Sequence, residues 1–389
     1  MKSDKRRVAG STSNSLSRAE RTHYSRQMIL DEVGLDGQQV LKAARVLVVG
    51  AGGLGAPVLS YLGAAGVGTL GVVEFDNIEP SNLHRQVLFS SQDIGRSKLD
   101  VACERIHALN PHIALNKFAT RLKLENARDI FSGYDVVVDA TDNFTSRYLI
   151  NDTCVLLGKP NVSASIFRYE GQLSVFWPSR GPCYRCLFPE PPPEELAPSC
   201  AEGGVLGVLP GIVGSLQANE ALKLLLGYGD PLIGRMLSID AMNVQFADYE
   251  IVADERCPIC SEGAKHGGTS AYEALWVTRD RDENKEAVPI ITVSSLKGLF
   301  HKREPITLVD VRSSKETTLG KIADPHLLTL DDLPKAMDRL PRDGRLVCYC
   351  QSGRRSAKAV SLLQQHGFDN VASLDGGFDA WSLALESEN

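Results

Sequence analysis

A chain of 389 residues is too long for one ordinary hydrophobic core, and its 43% hydrophobic and 23% charged content is that of a globular protein, so two domains are expected. The formal charge of -6 argues against a nucleic-acid-binding surface as the main business and points to small or acid-tolerant partners. No run approaches the roughly 18 apolar residues of a membrane helix, because the apolar stretch 203–226 is broken by glycines, Pro210, Gln217 and Glu220.

Residues 1–20 are basic and Ser-rich without an apolar core, which reads as a disordered tail rather than a secretory signal or an anchor. Nine cysteines, an odd number, in a chain read as having no export signal point to metal ligands and reactive thiols and to a cytoplasmic protein. From Arg45 onward, short β-branched runs at Val46–Val49, Leu70–Val73 and Val136–Val138 alternate with helical stretches at Leu54–Ala65, Lys98–Leu109 and Thr145–Leu157. Strands this uniformly apolar are buried on both faces of a sheet, and the alternation is βαβ architecture. The composition changes after Cys260. Residues 261–288 hold Gly-Gly and many charges and read as a linker, with one short helix around Tyr272–Trp276. Beyond it, strands at Ile306–Val309, Leu346–Tyr349 and Val371–Leu374 and helices at Leu330–Leu340 and Ser356–His366 make a second, smaller α/β domain over 289–389, leaving 21–260 as the first.

The first strand runs into Gly50-Ala-Gly-Gly-Leu-Gly55, a glycine-rich turn between strand and helix that suits a nucleotide phosphate. Gly50 permits the tight turn, Gly52 and Gly53 let a phosphate approach the backbone, and Gly55 lets the helix pack closely. Glu74, at the end of the second strand, is placed for ribose hydroxyls. NAD and ATP both fit these features. Arg26, Asn82, Arg85 and Lys98 favour ATP as a set, because nucleotide transfer with loss of pyrophosphate needs charge neutralised and hydride transfer does not. Asp142, past the third strand, is a carboxylate placed to hold Mg²⁺ against the phosphates.

Ser25-Arg-Gln27, Gly50 to Pro57, Glu74-Phe-Asp76, Ser81-Asn-Leu-His-Arg-Gln86, Gly95-Arg-Ser-Lys98, Asp139-Ala-Thr-Asp-Asn143, Glu170-Gly-Gln172 and Cys183-Tyr-Arg-Cys186 resemble the ThiF/MoeB family of ubiquitin-activating-type adenylyltransferases over about residues 20–260. The resemblance implies a Rossmann-like mixed sheet and adenylation of the C-terminal Gly-Gly of a ubiquitin-like sulfur carrier. It assigns Glu74 to the ribose, Arg26, Asn82, Arg85 and Lys98 to the phosphates, and Asp142 to the magnesium. It also singles out Cys200 as an acceptor of the acyl group or a persulfide partner; a non-catalytic loop cysteine is the other reading.

Cys183-Tyr-Arg-Cys186 and Cys257-Pro-Ile-Cys260 are two pairs of thiolates at metal-ligand spacing, which together complete a tetrahedron for a structural Zn²⁺. A redox role requires a helix after the pair, and neither sequence shows one. In the second domain, the strand Leu346–Tyr349 ends at Cys350-Gln-Ser-Gly-Arg-Arg-Ser356. A cysteine in a loop that wraps into a helix N-terminus is met by backbone N–H groups, which stabilise a thiolate or persulfide, and Arg354 and Arg355 add positive charge. With Asp310-Val-Arg312 and Asp375-Gly-Gly-Phe-Asp-Ala-Trp381, this stretch resembles a rhodanese domain, whose six-residue loop is the sulfurtransferase length. One departure stands out: Gly320-Lys-Ile-Ala-Asp-Pro325 replaces the usual Gly-His-Ile-x-Gly-Ala. The fused order resembles the MoeB/MoeZ-type sulfurylases and implies a homodimer that uses persulfide or thiosulfate sulfur. A carrier-docking protein with one active domain, and an NAD-dependent oxidoreductase with an appended sulfurtransferase, remain the alternatives.

Overall fold

The computed structural model describes residues 15–192, 203–262, 288–318 and 320–386, and the chain divides into two compact units, Met1–Asp280 and Arg281–Asn389. The short helix expected around Tyr272–Trp276 lies outside the described residues.

In the first unit, strands β1 (Arg45–Val49), β2 (Thr69–Val73), β3 (Ala114–Phe118), β4 (Val136–Asp139) and β5 (Asn161–Phe167) are parallel, whereas β6 (Glu170–Phe176), β7 (Arg235–Asp240) and β8 (Gln245–Glu250) run antiparallel to their neighbours. They form one eight-stranded mixed sheet in the order β3-β2-β1-β4-β5-β6-β7-β8. The three apolar runs legible in the sequence are β1, β2 and β4, its buried centre. In β5, Val162 and Ala164 face the core while Ser163 and Ser165 alternate with them, so no apolar run marks it. Helices Gly55–Ala65 and Leu209–Leu226 pack on one face, so closely that a Cβ on Gly214 would lie 2.6 Å from the Leu54 carbonyl oxygen. Helices Leu124–Ser132 and Phe144–Leu157 cover Leu47, Val49 and Val137 on the other.

Helix Arg18–His23 corrects the expected 1–20 tail at its C-terminal end. Ser17 accepts from the Glu20 amide at 3.2 Å, and Glu20 accepts from the Ser17 amide at 2.8 Å and pairs with Lys42. This reciprocal cap satisfies the free amides of the first turn.

The second unit holds five parallel strands, β9 (Ile290–Ile291), β10 (Ile306–Asp310), β11 (His326–Leu327), β12 (Arg345–Tyr349) and β13 (Val371–Leu374), in the order β11-β10-β12-β13-β9. The helix expected over Leu330–Leu340 is reduced to Leu333–Ala336 and a 3-10 turn at Met337–Arg339. Pro334 sits in its first turn, the place where a missing N–H costs least. The later helix starts at Arg354, two residues before the expected Ser356, because Gly353 takes φ +93° and turns the chain into it. No helix among the described residues is long and apolar enough to cross a membrane.

A Cβ at Gly55 would lie 2.0 Å from the Gly50 carbonyl oxygen. Gly55→Ala is therefore expected to destabilise the first unit by at least ~1–3 kcal/mol, measured by chemical denaturation. A variant as stable as the parent would show that the turn can widen freely.

Candidate functional site

At the end of β1, the Gly50 amide donates to the Val73 carbonyl at 2.9 Å, and Gly50 takes φ +97° with the Ala140 carbonyl oxygen 2.8 Å from where a Cβ would stand. Only glycine tolerates both the angle and the approach. The loop is thus held between the ends of β2 and β4, and Gly55 opens the helix that follows. Glu74 is buried beside it: its carboxylate accepts from the Ala51 amide at 2.9 Å and from the Phe75 and Asp76 amides at 2.8 and 3.0 Å. One carboxylate therefore ties the glycine loop to the end of β2. Gly52 and Gly53 face the next segment, where Cβ atoms would stand 3.5 Å from Gln86 Nε2 and 3.8 Å from Arg85 Cγ.

The structure brings most of the expected phosphate residues to this end of the sheet. Asn82 is buried and accepts from the Glu79 amide at 3.1 Å. Arg85 donates to the Ser81 carbonyl at 2.8 Å and lies 2.8 Å from His84 Nε2; burial, with the Arg85 charge, holds the His84 imidazole below its ordinary range. Lys98 is buried at the first position of helix Lys98–Leu109, with Nζ 3.4 Å from Asp76. Asp142 is exposed just past β4, beside Asn143, which caps helix Phe144–Leu157. Gln86, quoted in a motif by the sequence reading but given no role, has a buried Oε1 with no partner. Its place beside Arg85 in the Ser81–Gln86 motif was the available signal.

Arg26 is not brought into this set. It is exposed on the short helix Ser25–Met28, and its neighbour Gln27 donates to the Ala65 carbonyl at 3.2 Å. Ala65 is the far end of the helix that Gly55 opens, about 15 Å along its axis at 1.5 Å per residue. Cys200 lies outside the described residues.

The sulfurs of Cys183, Cys186, Cys257 and Cys260 all lie within 4.8 Å of one another, with Cys183–Cys257, Cys183–Cys186 and Cys186–Cys260 at 3.6, 3.9 and 3.4 Å. A tetrahedron of Zn–S bonds of about 2.3 Å has edges of about 3.8 Å, so the set fits Zn²⁺. As the sequence expectation has it, no long helix follows the first pair; the helix there begins inside the pair, after Cys183, and ends one residue past Cys186. It is only the four residues Tyr184–Leu187, a single turn that puts positions three apart on one side, as two ligands of one ion require.

Inside this turn, Arg185 is buried and forked onto Asp152 of helix Phe144–Leu157, with both N···O distances at 2.7 Å. It also donates to the Pro189 carbonyl at 3.0 Å, and Asn151 accepts from the Tyr184 amide at 2.8 Å. The Cys183–Cys186 turn is thus fixed to the helix that begins two residues after Asp142.

In the second unit, Cys350 directly follows Tyr349, the last residue of β12, and is 1% exposed. Its sulfur accepts from the Gly353 amide at 3.2 Å and lies 3.7 Å from Ser356 Oγ. Cys348 is also buried and has no such cradle; burial pushes its thiol up to about 12. Gly377 closes the cradle from the end of β13, since a Cβ there would lie 2.5 Å from the Cys350 carbonyl oxygen, and the Phe378 amide donates to that oxygen at 2.8 Å. Buried Arg312 pairs with Asp310 at 2.8 Å and donates to Gln351 Oε1 at 3.2 Å and to the Gly320 carbonyl at 2.8 Å. The departing stretch from Gly320 is therefore still tied to the loop, and the Ile322 amide donates to the Tyr349 hydroxyl at 3.1 Å. Of the two loop arginines, Arg354 is exposed, whereas Arg355 pairs with Glu316, Nη1 lying 2.9 Å from the carboxylate. Burial acts to raise the Glu316 carboxyl, but the hydrogen bonds from Arg355 and from Ser313, with the Arg355 charge, together outweigh it and hold the group at about 2.

Residues 24–259 match the ThiF family and residues 292–384 the rhodanese-like domain. Over 381 residues, 96% of each chain, the sequence is 42% identical to a Mycobacterium tuberculosis protein named probable adenylyltransferase/sulfurtransferase MoeZ. Over 261 residues, 66% of this chain and 96% of the relative, it is 53% identical to the sulfur carrier protein adenylyltransferase of Thermus thermophilus. The fold is also that of E. coli MccB crystallised with ATP, at a TM-score of 0.54 and 23% identity over 61% of this chain and 74% of that one.

Cys260→Ser is expected to lose stoichiometric zinc, read by elemental analysis, and to lower the melting temperature of the first unit by several degrees, because metal binding and folding are coupled. Full zinc content in that variant would remove Cys260 from the ligand set.

Proposed function

The chain belongs to the ThiF family, with a rhodanese-like domain following the adenylating one, and we propose that it adenylates the C-terminal glycine of a ubiquitin-like sulfur carrier and replaces the adenylate with sulfur delivered on Cys350. The observation that carries this reading is the pairing on one chain of a glycine turn fixed between two strand ends and a cysteine cradled by a backbone amide.

In the first step the carrier carboxylate attacks the α-phosphorus of ATP and pyrophosphate leaves. Gly52 and Gly53 admit the phosphates to the backbone, Glu74 receives the ribose hydroxyls, and Asn82, Arg85 and Lys98 offset the charge of the triphosphate and of the leaving pyrophosphate. Asp142 would hold Mg²⁺, which would supply further neutralisation of the phosphates. In the second step a persulfide on Cys350, loaded from a persulfide or thiosulfate donor, attacks the acyl carbon and AMP leaves. The acyl disulfide that results is reduced by Cys200 or an external thiol, which releases the thiocarboxylate and leaves Cys350 in a disulfide with the attacking sulfur. The setting is the cytoplasm, where thiols stay reduced.

Arg26 enters this scheme through a second copy of the chain. Its distance from the glycine loop within one chain, and its exposure, suit an arginine that completes the phosphate site of a partner in a homodimer.

Two measurements test the scheme. Cys350→Ala is expected to retain carrier-dependent ATP–pyrophosphate exchange within about twofold and to lose thiocarboxylate formation from thiosulfate, followed by mass; retained thiocarboxylate would end the sulfur role of Cys350. Arg26→Ala and Lys98→Ala, each inactive alone, are expected on mixing to recover up to about a quarter of the exchange rate, since random pairing places one intact site in half of the dimers. No recovery on mixing, with subunit exchange demonstrated, would place Arg26 in its own chain's site or outside the reaction.

A further inference from the structure

A guanidinium carries N–H donors on Nε, Nη1 and Nη2, and in Arg85 the donors in use are those of Nη1. That nitrogen donates to the Ser81 carbonyl at 2.8 Å and lies 2.8 Å from His84 Nε2. Among the described residues, Nε and Nη2 make no hydrogen bond or ion pair. The free side of Arg85 is therefore the Nε–Nη2 fork, the edge that receives two oxygens of one phosphate. Its stem passes over the glycine loop, where a Cβ on Gly53 would stand 3.8 Å from Arg85 Cγ. Acceptors on the far nitrogen thus set the plane of the group and leave the fork for a nucleotide.

The two acceptors differ in kind. The Ser81 carbonyl accepts at any pH, whereas His84 Nε2 accepts only in a neutral imidazole whose proton is on Nδ1. Once Nε2 is protonated, two N–H donors and two positive charges face each other. The imidazole is exposed, so protons reach it from solvent, yet it is held from behind. Gly207, which leads into helix Leu209–Leu226, approaches so closely that a Cβ there would lie 2.4 Å from the His84 carbonyl oxygen and 3.1 Å from Nδ1. Pro210 of that helix lies 3.2 Å from where a Gly53 Cβ would stand, so one segment backs both the histidine and the glycine loop.

Arg85 is the charge that acts on His84, and burial with that charge lowers the imidazole from its ordinary range. Of the other charged groups on the packed segments, Glu79 accepts from Ser81 Oγ at 3.5 Å. Arg168, whose carbonyl accepts from the Leu206 amide at 2.8 Å, keeps its guanidinium over the Phe167 ring. His84 is accordingly the neutral acceptor at neutral pH, and the acceptor is lost as pH falls through its titration.

We propose that His84 is a positioning residue for the nucleotide: in its neutral form it orients Arg85 so that the Nε–Nη2 fork meets the phosphates of ATP, and in its protonated form it releases the arginine. This rests on the adenylation reading and adds to it the residue that sets how the reaction responds to acid.

The test uses the full chain with Mg²⁺ and ATP, read by calorimetric binding and by ATP–pyrophosphate exchange with a recombinant ubiquitin-fold carrier ending in Gly-Gly. His84→Gln keeps a neutral acceptor that cannot become charged; His84→Phe keeps the bulk of a ring and has no acceptor. At about pH 8, His84→Gln is expected to bind ATP within about twofold of the parent and His84→Phe about tenfold more weakly, the scale of a hydrogen bond to a charged group. Between about pH 8 and about pH 5.5, which brackets the ordinary histidine value, the parent is expected to lose at least about threefold more ATP affinity and exchange than His84→Gln. Protonation of ATP itself is common to both chains and cancels. A merely structural role would leave the acid profile the same in parent and variant. An acid loss in His84→Gln equal to that of the parent, or parental ATP affinity in His84→Phe, overturns the role of His84 and leaves adenylation standing. A parent chain that binds ATP and exchanges no pyrophosphate overturns the adenylation reading, while the binding profile still decides His84. A parent chain that binds no ATP overturns both.

Discussion

The nucleotide end depends on β1 lying in register between β2 and β4. Val49 is level with Val73 on one side and with Asp139 on the other. The chain leaving β1 must therefore turn in the narrow space between two neighbouring strand ends, where the Ala140 carbonyl leaves no room for a side chain on Gly50. The same register delivers Glu74 and Asp142 to the rim of that turn. Strand order reverses about β1, and such switch points leave a crevice at the carboxyl ends of the strands. Exposed amides, a buried carboxylate and the start of a helix meet there because the backbone has no other route.

The second unit solves a similar problem with different chemistry. β12 runs between β10 and β13, and Cys350 occupies its carboxyl end. From one side, Arg312, neutralised by Asp310, fixes the loop through Gln351; from the other, Gly377 lies against the loop's carbonyls. A buried ion pair is weak evidence of stability in itself. Here its use is geometric, because it leaves Gln351 occupied and the loop in a single shape around the sulfur. Glu316 does the same for Arg355, which leaves Arg354 as the exposed cation of the loop.

The cysteine quartet joins residues more than seventy positions apart and draws the end of the first unit onto its middle. The fork of Arg185 on Asp152 extends that constraint into helix Phe144–Leu157. A cysteine cluster that looks purely structural thereby fixes the side chains of Tyr184 and Phe188 opposite Arg147.

Much of this was legible without coordinates wherever function resides in contiguous residues. The glycine turn, both C-x-x-C pairs and the Cys350 loop are short motifs whose backbone geometry and chemistry are local. The three central strands were legible because burial on both faces demands unbroken apolar runs. β5 was not, since its serines interrupt the pattern. Nor was the true position of Arg26, which adjoins the motifs in resemblance but packs by Gln27 at the far end of a helix. Arg147 and the pairing of Arg355 with Glu316 likewise emerge only in three dimensions. The sequence by itself determined the reactive groups and the two sheets that carry them. The tertiary structure decided which charges are offset, which are left free and which side chains meet, because these depend on contacts between segments distant in the chain.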